Sequence, residues 1–278
     1  MLVIEFLLVL FLASIFAGVF GSIVGLGGGV VVIPMLTLWL GVDIHFAIGA
    51  SIIAIIATSS GAASVYVKDK LTNLRVGMFL ELGTTAGAIV GAALAAYADS
   101  EALELIFGSI LLVMLVPTVM RFGEETPKSP ELKGLSKSLG LTGSYVDANG
   151  STVTYNATRP KTGLAGMVVA GVLSGLLGIG SGAFKVLSMD LAMKLPIKVS
   201  TTTSNFMIGV TAAASAGIYY VRGDVDPVIV APVVLGIIIG AAIGARFLVR
   251  ARNPTIRKAF ALVLALAAIE MILSAYGI

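Results

Sequence analysis

Two glycine-rich segments, each within an apolar stretch, are the part of this sequence best suited to bind a ligand. They read GLGGG at residues 25–29 and GIGSG at residues 178–182. Glycine destabilises a helix interior by about 0.5–1 kcal/mol relative to alanine, so the four glycines of GLGGG need a physical reason. A tip between two helices leaves free N–H groups at the start of the second helix, and these favour an anion. We predict that two such tips bind one anion, through Gly27, Gly28, Gly29, Gly180, Ser181 and Gly182. The alternatives are close helix packing and a soluble phosphate loop, and the apolar flanks argue against the loop.

Charged side chains near the tips extend the predicted site. Lys185 follows the second tip by three residues in an apolar stretch, where a lysine is costly and is usually functional or paired. We predict that it binds the anion, with an ion pair to Asp190 as the alternative. Asp190 is also a candidate coupling or gating residue. Glu81 lies within another apolar segment and is a candidate proton carrier, or else it has a packing or interfacial role. His45, the single histidine, is assigned a structural or gating role.

Hydroxyl and amide side chains follow each tip, one to two turns into the next predicted helix. We predict that they face the anion and donate hydrogen bonds to it; the alternative for the hydroxyls is a bond back to their own helix. These residues are Ser51 in the first half of the chain and Thr203, Ser204 and Asn205 in the second.

The composition predicts the elements that position these residues. Of the 278 residues, 58% are hydrophobic and 12% are charged, against about 25% charged in a soluble domain. Apolar stretches long enough to cross a membrane recur, so we predict an all-α integral membrane protein. The net charge of +3 gives no sign of a nucleic-acid partner, because Lys and Arg in membrane proteins mostly report topology. With no cysteine and one histidine, we expect no metal site and no cofactor.

The apolar segments fall into two groups separated by one polar stretch. We predict an N-terminal membrane repeat at 1–121, a linker at 122–161 and a C-terminal membrane repeat at 162–278. In the linker, Asn149-Gly150 lies between β-forming residues, which predicts a small tethered β-hairpin, with disorder as the alternative. The predicted helical elements are 2–25, 29–41, 45–67, 74–97 and 102–121, then 163–180, 183–195, 197–221, 227–249 and 254–276.

The two groups are related by a constant offset of 153 residues from residue 17 to residue 92. Thr58 matches Thr211, and Gly87-Ala88 matches Gly240-Ala241. In the first half, basic residues are concentrated in the loop at 68–75, and the next loop, 98–104, is acidic. In the second half, the loop that matches 98–104 is the basic one. Because cytoplasmic loops are enriched in Lys and Arg, this swap predicts inverted repeats. We therefore expect five helical elements per half, re-entrant glycine-tipped hairpins meeting near the midplane, a cytoplasmic linker and both termini outside.

The paired motifs GVFGSIVGLGGGVVVIP and GVLSGLLGIGSGAFKVL, with HFAIGAS at residues 45–51, resemble the TauE/SafE sulfite exporter family. The stretch KVSTTTS at residues 198–204 occupies the matching place in the second half. The resemblance covers both membrane repeats and excludes 122–161. It implies secondary transport of a small sulfur-containing anion such as sulfite, thiosulfate or an organosulfonate.

We therefore interpret the chain as a plasma-membrane secondary transporter, exporter or importer, that works by alternating access around a midplane anion site. An anion channel on the same scaffold and a transporter of a non-sulfur organic anion are the alternatives. Its expected partners are the anion, membrane lipid and a proton or sodium as coupling ion. A membrane-embedded enzyme is disfavoured, because the sequence offers neither a nucleophile–base pair nor a metal cluster.

Overall fold

The protein is built from long helices in two sets that share one element order. The structure, a computed structural model, describes residues 3–24, 28–68, 71–120, 134–146, 150–250 and 253–275. The first set is α1 (Val3–Val24), α2 (Gly29–Pro34) with a π-helical turn (Met35–Trp39), α3 (Ile44–Lys68), α4 (Leu74–Ala95) and α5 (Ser100–Met120). Next come α6 (Leu135–Ser138), β1 (Thr142–Val146) and β2 (Thr152–Asn156). The second set is α7 (Pro160–Leu177), α8 (Gly182–Leu187) with a π-helical turn (Ser188–Ala192), α9 (Ile197–Arg222), α10 (Pro227–Arg250) and α11 (Asn253–Ala275).

The offset seen in the sequence is also the offset between equivalent elements. Helices α2 and α8 begin at Gly29 and Gly182, and the two π-helical turns begin at Met35 and Ser188, so both pairs are 153 residues apart. The short helix after each tip is therefore longer than its α-helical part alone, because the π-helical turn continues it. The sequence did not predict these π-helical turns.

Helix packing relates the two sets reciprocally. The first helix of each set packs along the fourth helix of the other, so that α1 lies on α10 and α7 lies on α4. The third helices, α3 and α9, pack on each other, as do the fifth helices, α5 and α11. This reciprocity is what two equivalent halves produce. Whether the halves are inverted across the membrane, and whether the tips are re-entrant, stay predictions.

Small residues account for how closely the first and fourth helices pack. A Cβ on Gly91 of α4 would overlap the Val172 carbonyl of α7, and one on Gly175 of α7 would overlap the Ala88 carbonyl. At the equivalent interface, a Cβ on Gly240 of α10 would overlap the Ile15 carbonyl of α1. These glycines therefore serve backbone-to-backbone packing, as small residues do between membrane helices.

Four of the described helices are long and apolar enough to cross a membrane. By length and composition they are Ile4–Ile23, Leu74–Ala95, Pro160–Leu177 and Pro227–Leu248. They are the four helices that form the two close interfaces. Many of their large apolar side chains are exposed, including Leu82 and Leu235. Exposed apolar faces on such helices suit a lipid surrounding, and they agree with an integral membrane protein.

The polar linker carries a docked β-hairpin, whereas the sequence predicted a tethered one. Strands β1 and β2 pair antiparallel, with Thr142 opposite Asn156 and Val146 opposite Thr152. The tyrosines Tyr145 and Tyr155 are buried in a cluster with side chains of α4, α7 and α9. The Asn73 side chain donates to the Tyr155 hydroxyl at 3.1 Å, which joins the hairpin to the turn before α4. Burying two aromatic side chains favours docking over a free tether. The predicted turn residue Asn149 lies outside the described residues.

Candidate functional site

Residues with positive φ occur in the second tip and just before α2, the helix that follows the first tip. Gly178 and Gly180 have φ of +65° and +68°, which glycine adopts without a steric cost. Ser181 has a φ of +54°, an uncommon value for a residue with a side chain, and its hydroxyl donates to the Gly180 carbonyl at 2.7 Å. Gly28 has a φ of +84° and immediately precedes α2. Gly27, also predicted to bind the anion, lies outside the described residues.

Gly29, at the end of the first tip, approaches the second tip, and Ser51 of α3 lies against both. The Ser51 hydroxyl donates to the Gly178 carbonyl of the second tip at 2.8 Å. A Cβ on Gly29, at the first tip, would lie 2.5 Å from the Ser51 Oγ and 3.2 Å from the Gly178 carbonyl oxygen. A larger residue at position 29 would therefore displace the Ser51 hydroxyl from its place beside the second tip. The structure therefore brings together three of the predicted site segments: the end of the first tip, the second tip and Ser51.

Helix α9 contributes buried polar side chains next to the second tip and to the end of α1. The Ser204 hydroxyl donates to the Gly182 carbonyl at 3.3 Å, and the Asn205 side-chain nitrogen donates to the Ser22 carbonyl of α1 at 2.8 Å. The Asn205 Oδ1 and the Thr201 Oγ1 are buried and have no hydrogen-bond partner among the described residues. Since buried polar atoms normally have partners, these two atoms are available to a ligand or to water.

Thr203 does not face the tips, although the sequence predicted that it would. Its Oγ1 accepts a hydrogen bond from the Asn73 backbone N–H at 3.0 Å, in the turn before α4. Adjacent helix positions point about 100° apart, so Thr203 faces a different neighbour from Ser204 and Asn205. The sequence identified the polar run of α9 without resolving which of its faces meets the tips.

Lys185 is fully buried and faces a carboxylate of the first half. Its Nζ lies 3.4 Å from the Glu81 Oε2 of α4, and it donates a short hydrogen bond to the Thr211 hydroxyl of α9. The Thr211 hydroxyl in turn donates to the Glu81 Oε1 at 2.6 Å, and the Thr85 hydroxyl donates to the same oxygen at 3.1 Å. We call Glu81, Thr85, Lys185 and Thr211 the charged network. It lies between α4 of one half and α8 and α9 of the other.

The charged network corrects one alternative from the sequence and adds two residues. The sequence suggested Asp190 as the acidic partner of Lys185, whereas the structure places Glu81 there. Asp190 is buried in the π-helical turn after α8. Thr85 and Thr211 were not predicted as site residues. The match between Thr58 and Thr211 across the repeat was the available signal for Thr211.

His45 lies apart from this network, near the start of α3. Its Nδ1 is 3.0 Å from the Asp43 carboxylate and 3.4 Å from the Ser100 hydroxyl of α5. Its side chain is one-quarter exposed. The structure therefore does not bring His45 to the tips. Among the described residues, no three acidic or histidine side chains gather into a metal site.

The chain is similar to known membrane proteins along nearly its whole length. Residues 10–271 match the family model described as sulfite exporter TauE/SafE. The probable membrane transporter protein YunE of Bacillus subtilis (strain 168) is 28% identical, over 95% of this chain and 96% of the relative. The probable membrane transporter protein YdhB of the same organism is 28% identical, over 87% and 88% respectively. A probable membrane transporter protein of Xylella fastidiosa (strain 9a5c) is 26% identical, over 90% and 89%. No solved structure matches the chain significantly.

Proposed function

The chain belongs to the sulfite exporter TauE/SafE family of membrane transporters, and we propose that it is a secondary transporter of a small sulfur-containing anion. Sulfite, thiosulfate and organosulfonates are the candidates. The proposed mechanism is alternating access around a site between the two halves. An anion channel and a transporter of a non-sulfur organic anion are the competing functions that the experiments below separate.

The observation that carries the proposal is the buried ammonium of Lys185 between the halves. Its side chain has no solvent exposure, and its charged neighbour is Glu81 from the other half. A charged side chain inside a membrane protein is costly and generally marks a substrate or ion pathway. In repeat-built transporters the substrate site lies at the interface between the repeats, and a movement of one half against the other changes its access. Lys185 has the charge and the position that such a site requires.

We assign the hydrogen-bonding groups around the anion to the tips and to α9. The Ser51 and Ser204 hydroxyls donate to tip carbonyls and so hold the tips in place. The Thr201 hydroxyl is buried without a partner among the described residues, so it is the group that can donate to an anion. We assign Thr201 to the anion site as well, because a hydroxyl can donate to a sulfonate or sulfite oxygen. Gly28 and Gly29 keep the first tip close, and Gly180, Ser181 and Gly182 do so at the second. Because α2 and α8 are each six residues long before their π-helical turns, we assign the main charge compensation to Lys185 and not to helix dipoles.

The proposed orientation follows the charges of the loops. We propose that residues 122–161, with the docked hairpin, lie in the cytoplasm and that both termini lie outside, in the plasma membrane. The linker carries Lys128, Lys133, Lys137, Arg159 and Lys161, as expected of a cytoplasmic segment.

The first experiment measures which anion stabilises the purified protein against heat. A ligand that binds only the folded state raises the unfolding temperature in a concentration-dependent way. We expect a sulfur-containing anion to stabilise the protein more than acetate does. Stabilisation by acetate alone would favour the non-sulfur substrate, and no stabilisation by any anion of the panel would contradict an anion site.

A matched pair of lysine variants then locates the site. We expect Lys185→Met to lose stabilisation by the anion, while Lys198→Met keeps it. Lys198 is an appropriate control because it is also buried, with its ammonium 6.0 Å from the Tyr145 ring centre. Equal loss in both variants, or loss in Lys198→Met alone, would refute the assignment of Lys185.

Transport by reconstituted liposomes separates the transporter from the channel. A transporter gives saturable uptake and accelerates exchange when unlabelled anion is present on the far side. A channel gives flux that rises in proportion to concentration and shows no such acceleration.

A further inference from the structure

We propose that the transported anion and the Glu81 carboxylate compete for Lys185, so that each monovalent anion enters the site together with one proton. This inference rests on the proposed function, because it requires Lys185 to bind the anion. The coupling ion is then the proton, the group that binds it is Glu81, and the preferred substrate is a monoanion.

The geometry gives Lys185 one carboxylate partner that a substrate must displace. The Glu81 Oε2 is 3.4 Å from the Lys185 Nζ, and the Glu81 Oε1 accepts hydrogen bonds from Thr211 and Thr85. In this arrangement Glu81 holds the place beside the ammonium that an anionic ligand would take. An anion that approaches Lys185 therefore meets a negative charge already bound there.

Burial sets the charge balance of the site. The ionised pair is neutral overall, and the Lys185 side chain has no exposed surface. Adding a monoanion alone would leave an uncompensated negative charge in a medium that solvates charge poorly. If Glu81 takes up a proton, Lys185 and the anion form the ion pair, and the site is neutral again. The site then carries no net charge, whether empty or loaded, when its access changes from one side of the membrane to the other.

Glu81 is also the more exposed member of the pair. Its side chain retains 13% of its exposure, whereas that of Lys185 has none. We therefore assign the proton to Glu81. Once protonated, Glu81 still accepts the hydrogen bonds from Thr85 and Thr211, so the protonated acid stays in place.

The other charged groups near α4 have separate environments in the described part of the chain. Helices α7 and α9 pack on α4, and they contribute the exposed Lys161, the buried Lys198 beside Tyr145, and Arg222, which pairs with Asp224. Arg75, on α4 itself, donates to the Gly140 carbonyl. Asp190 is buried in the π-helical turn after α8. Among these groups, Lys185 is the cation in ion-pair distance of Glu81.

The test measures anion affinity, proton uptake and transport in the full-length protein. The probes are isethionate, a monoanion, and thiosulfate, a dianion, because both are strong-acid anions whose own charge does not change over the pH range of the titration. We expect isethionate affinity to fall about tenfold for each pH unit over the range in which the unliganded site has lost its proton, as linkage to one proton requires. A weakly buffered sample with a pH indicator should show about one proton taken up per isethionate bound. In liposomes, an inwardly directed proton gradient should drive isethionate uptake, and a membrane potential alone should not.

Two carboxylate variants assign the proton. We expect Glu81→Gln to bind isethionate with an affinity that no longer depends on pH and without proton uptake. Glu270→Gln removes a half-buried carboxyl of α11, and we expect it to keep the wild-type pH dependence. If Glu81→Gln does not fold, the proton count in the wild-type protein still tests the proposal.

The outcomes separate this inference from the proposed function. Binding of either probe with no pH dependence and no proton uptake would overturn the proton coupling and leave the anion transporter standing. A wild-type pH dependence in Glu81→Gln, or its loss in Glu270→Gln, would overturn the assignment to Glu81. Failure of isethionate, thiosulfate and sulfite alike to bind at any pH would instead refute the proposed function, and the inference with it.

Discussion

Replacing Lys185 separates its contribution to stability from its contribution to anion binding. Lys185→Met removes the ammonium and leaves the Glu81 carboxylate without its ion-pair partner. Breaking a buried ion pair from one side typically costs about 3–5 kcal/mol. Because Glu81 is 13% exposed and keeps hydrogen bonds from Thr85 and Thr211, we expect the lower end, about 3 kcal/mol.

The double variant Lys185→Met with Glu81→Leu removes both charges and replaces them with apolar side chains of similar volume. Such replacements are often neutral or stabilising, so we expect stability to return to within about 1 kcal/mol of the wild type. Anion affinity should not return. Losing a charge-assisted hydrogen bond costs about 1.5–3 kcal/mol, which corresponds to roughly tenfold to a hundredfold in affinity.

Thermal unfolding of the detergent-purified variants, with and without the stabilising anion, measures both quantities in one assay. The single variant should be destabilised and should not respond to the anion. The double variant should be stable and still unresponsive. Recovery of stability and anion response together in the double variant would show that Lys185 is only a structural partner of Glu81, and it would refute our reasoning.

Four further predictions test the packing, the tip, the hairpin and the orientation. Gly91→Leu should prevent folding, because its side chain would overlap the Val172 carbonyl, whereas Gly217→Leu has open space and should give a normal size-exclusion profile. Ser181→Gly should raise the free energy of unfolding by about 1 kcal/mol, since it removes a side chain from left-handed backbone; a lower unfolding temperature would contradict this. Asn73→Ala should lower stability by about 1–3 kcal/mol in thermal unfolding, because it removes the hydrogen bond to Tyr155 and the cap to Val76, and an unchanged midpoint would show that the hairpin is not held there. Since the chain has no cysteine, Lys137→Cys gives a single thiol, which an impermeant maleimide should label in inside-out vesicles; labelling in intact cells would reverse the proposed orientation.

The helical membrane class and the order of its elements could be predicted from the sequence alone, because both depend on local properties. A long apolar stretch requires a helix in lipid, where each backbone group must find its partner within the segment. The glycine motifs also indicated helix ends, because glycine adopts the positive φ that Gly178 and Gly180 have there. The constant offset of 153 residues needed only a comparison of the chain with itself.

The composition of the site was decided by contacts between residues far apart in sequence. Lys185 meets Glu81 across 104 positions, and Ser51 meets Gly178 across 127. The sequence offered Asp190 as the nearest acid and placed Thr203 on the same side as Ser204. Helical periodicity indicates which residues share a face, but it does not indicate which other helix that face meets. In a membrane protein this ambiguity is greater than in a soluble one, because lipid-facing and core-facing positions are both apolar. Only the packing of α4 and α8 against α9 brings Glu81, Lys185 and Thr211 together, because these interfaces fix which faces of the three helices meet.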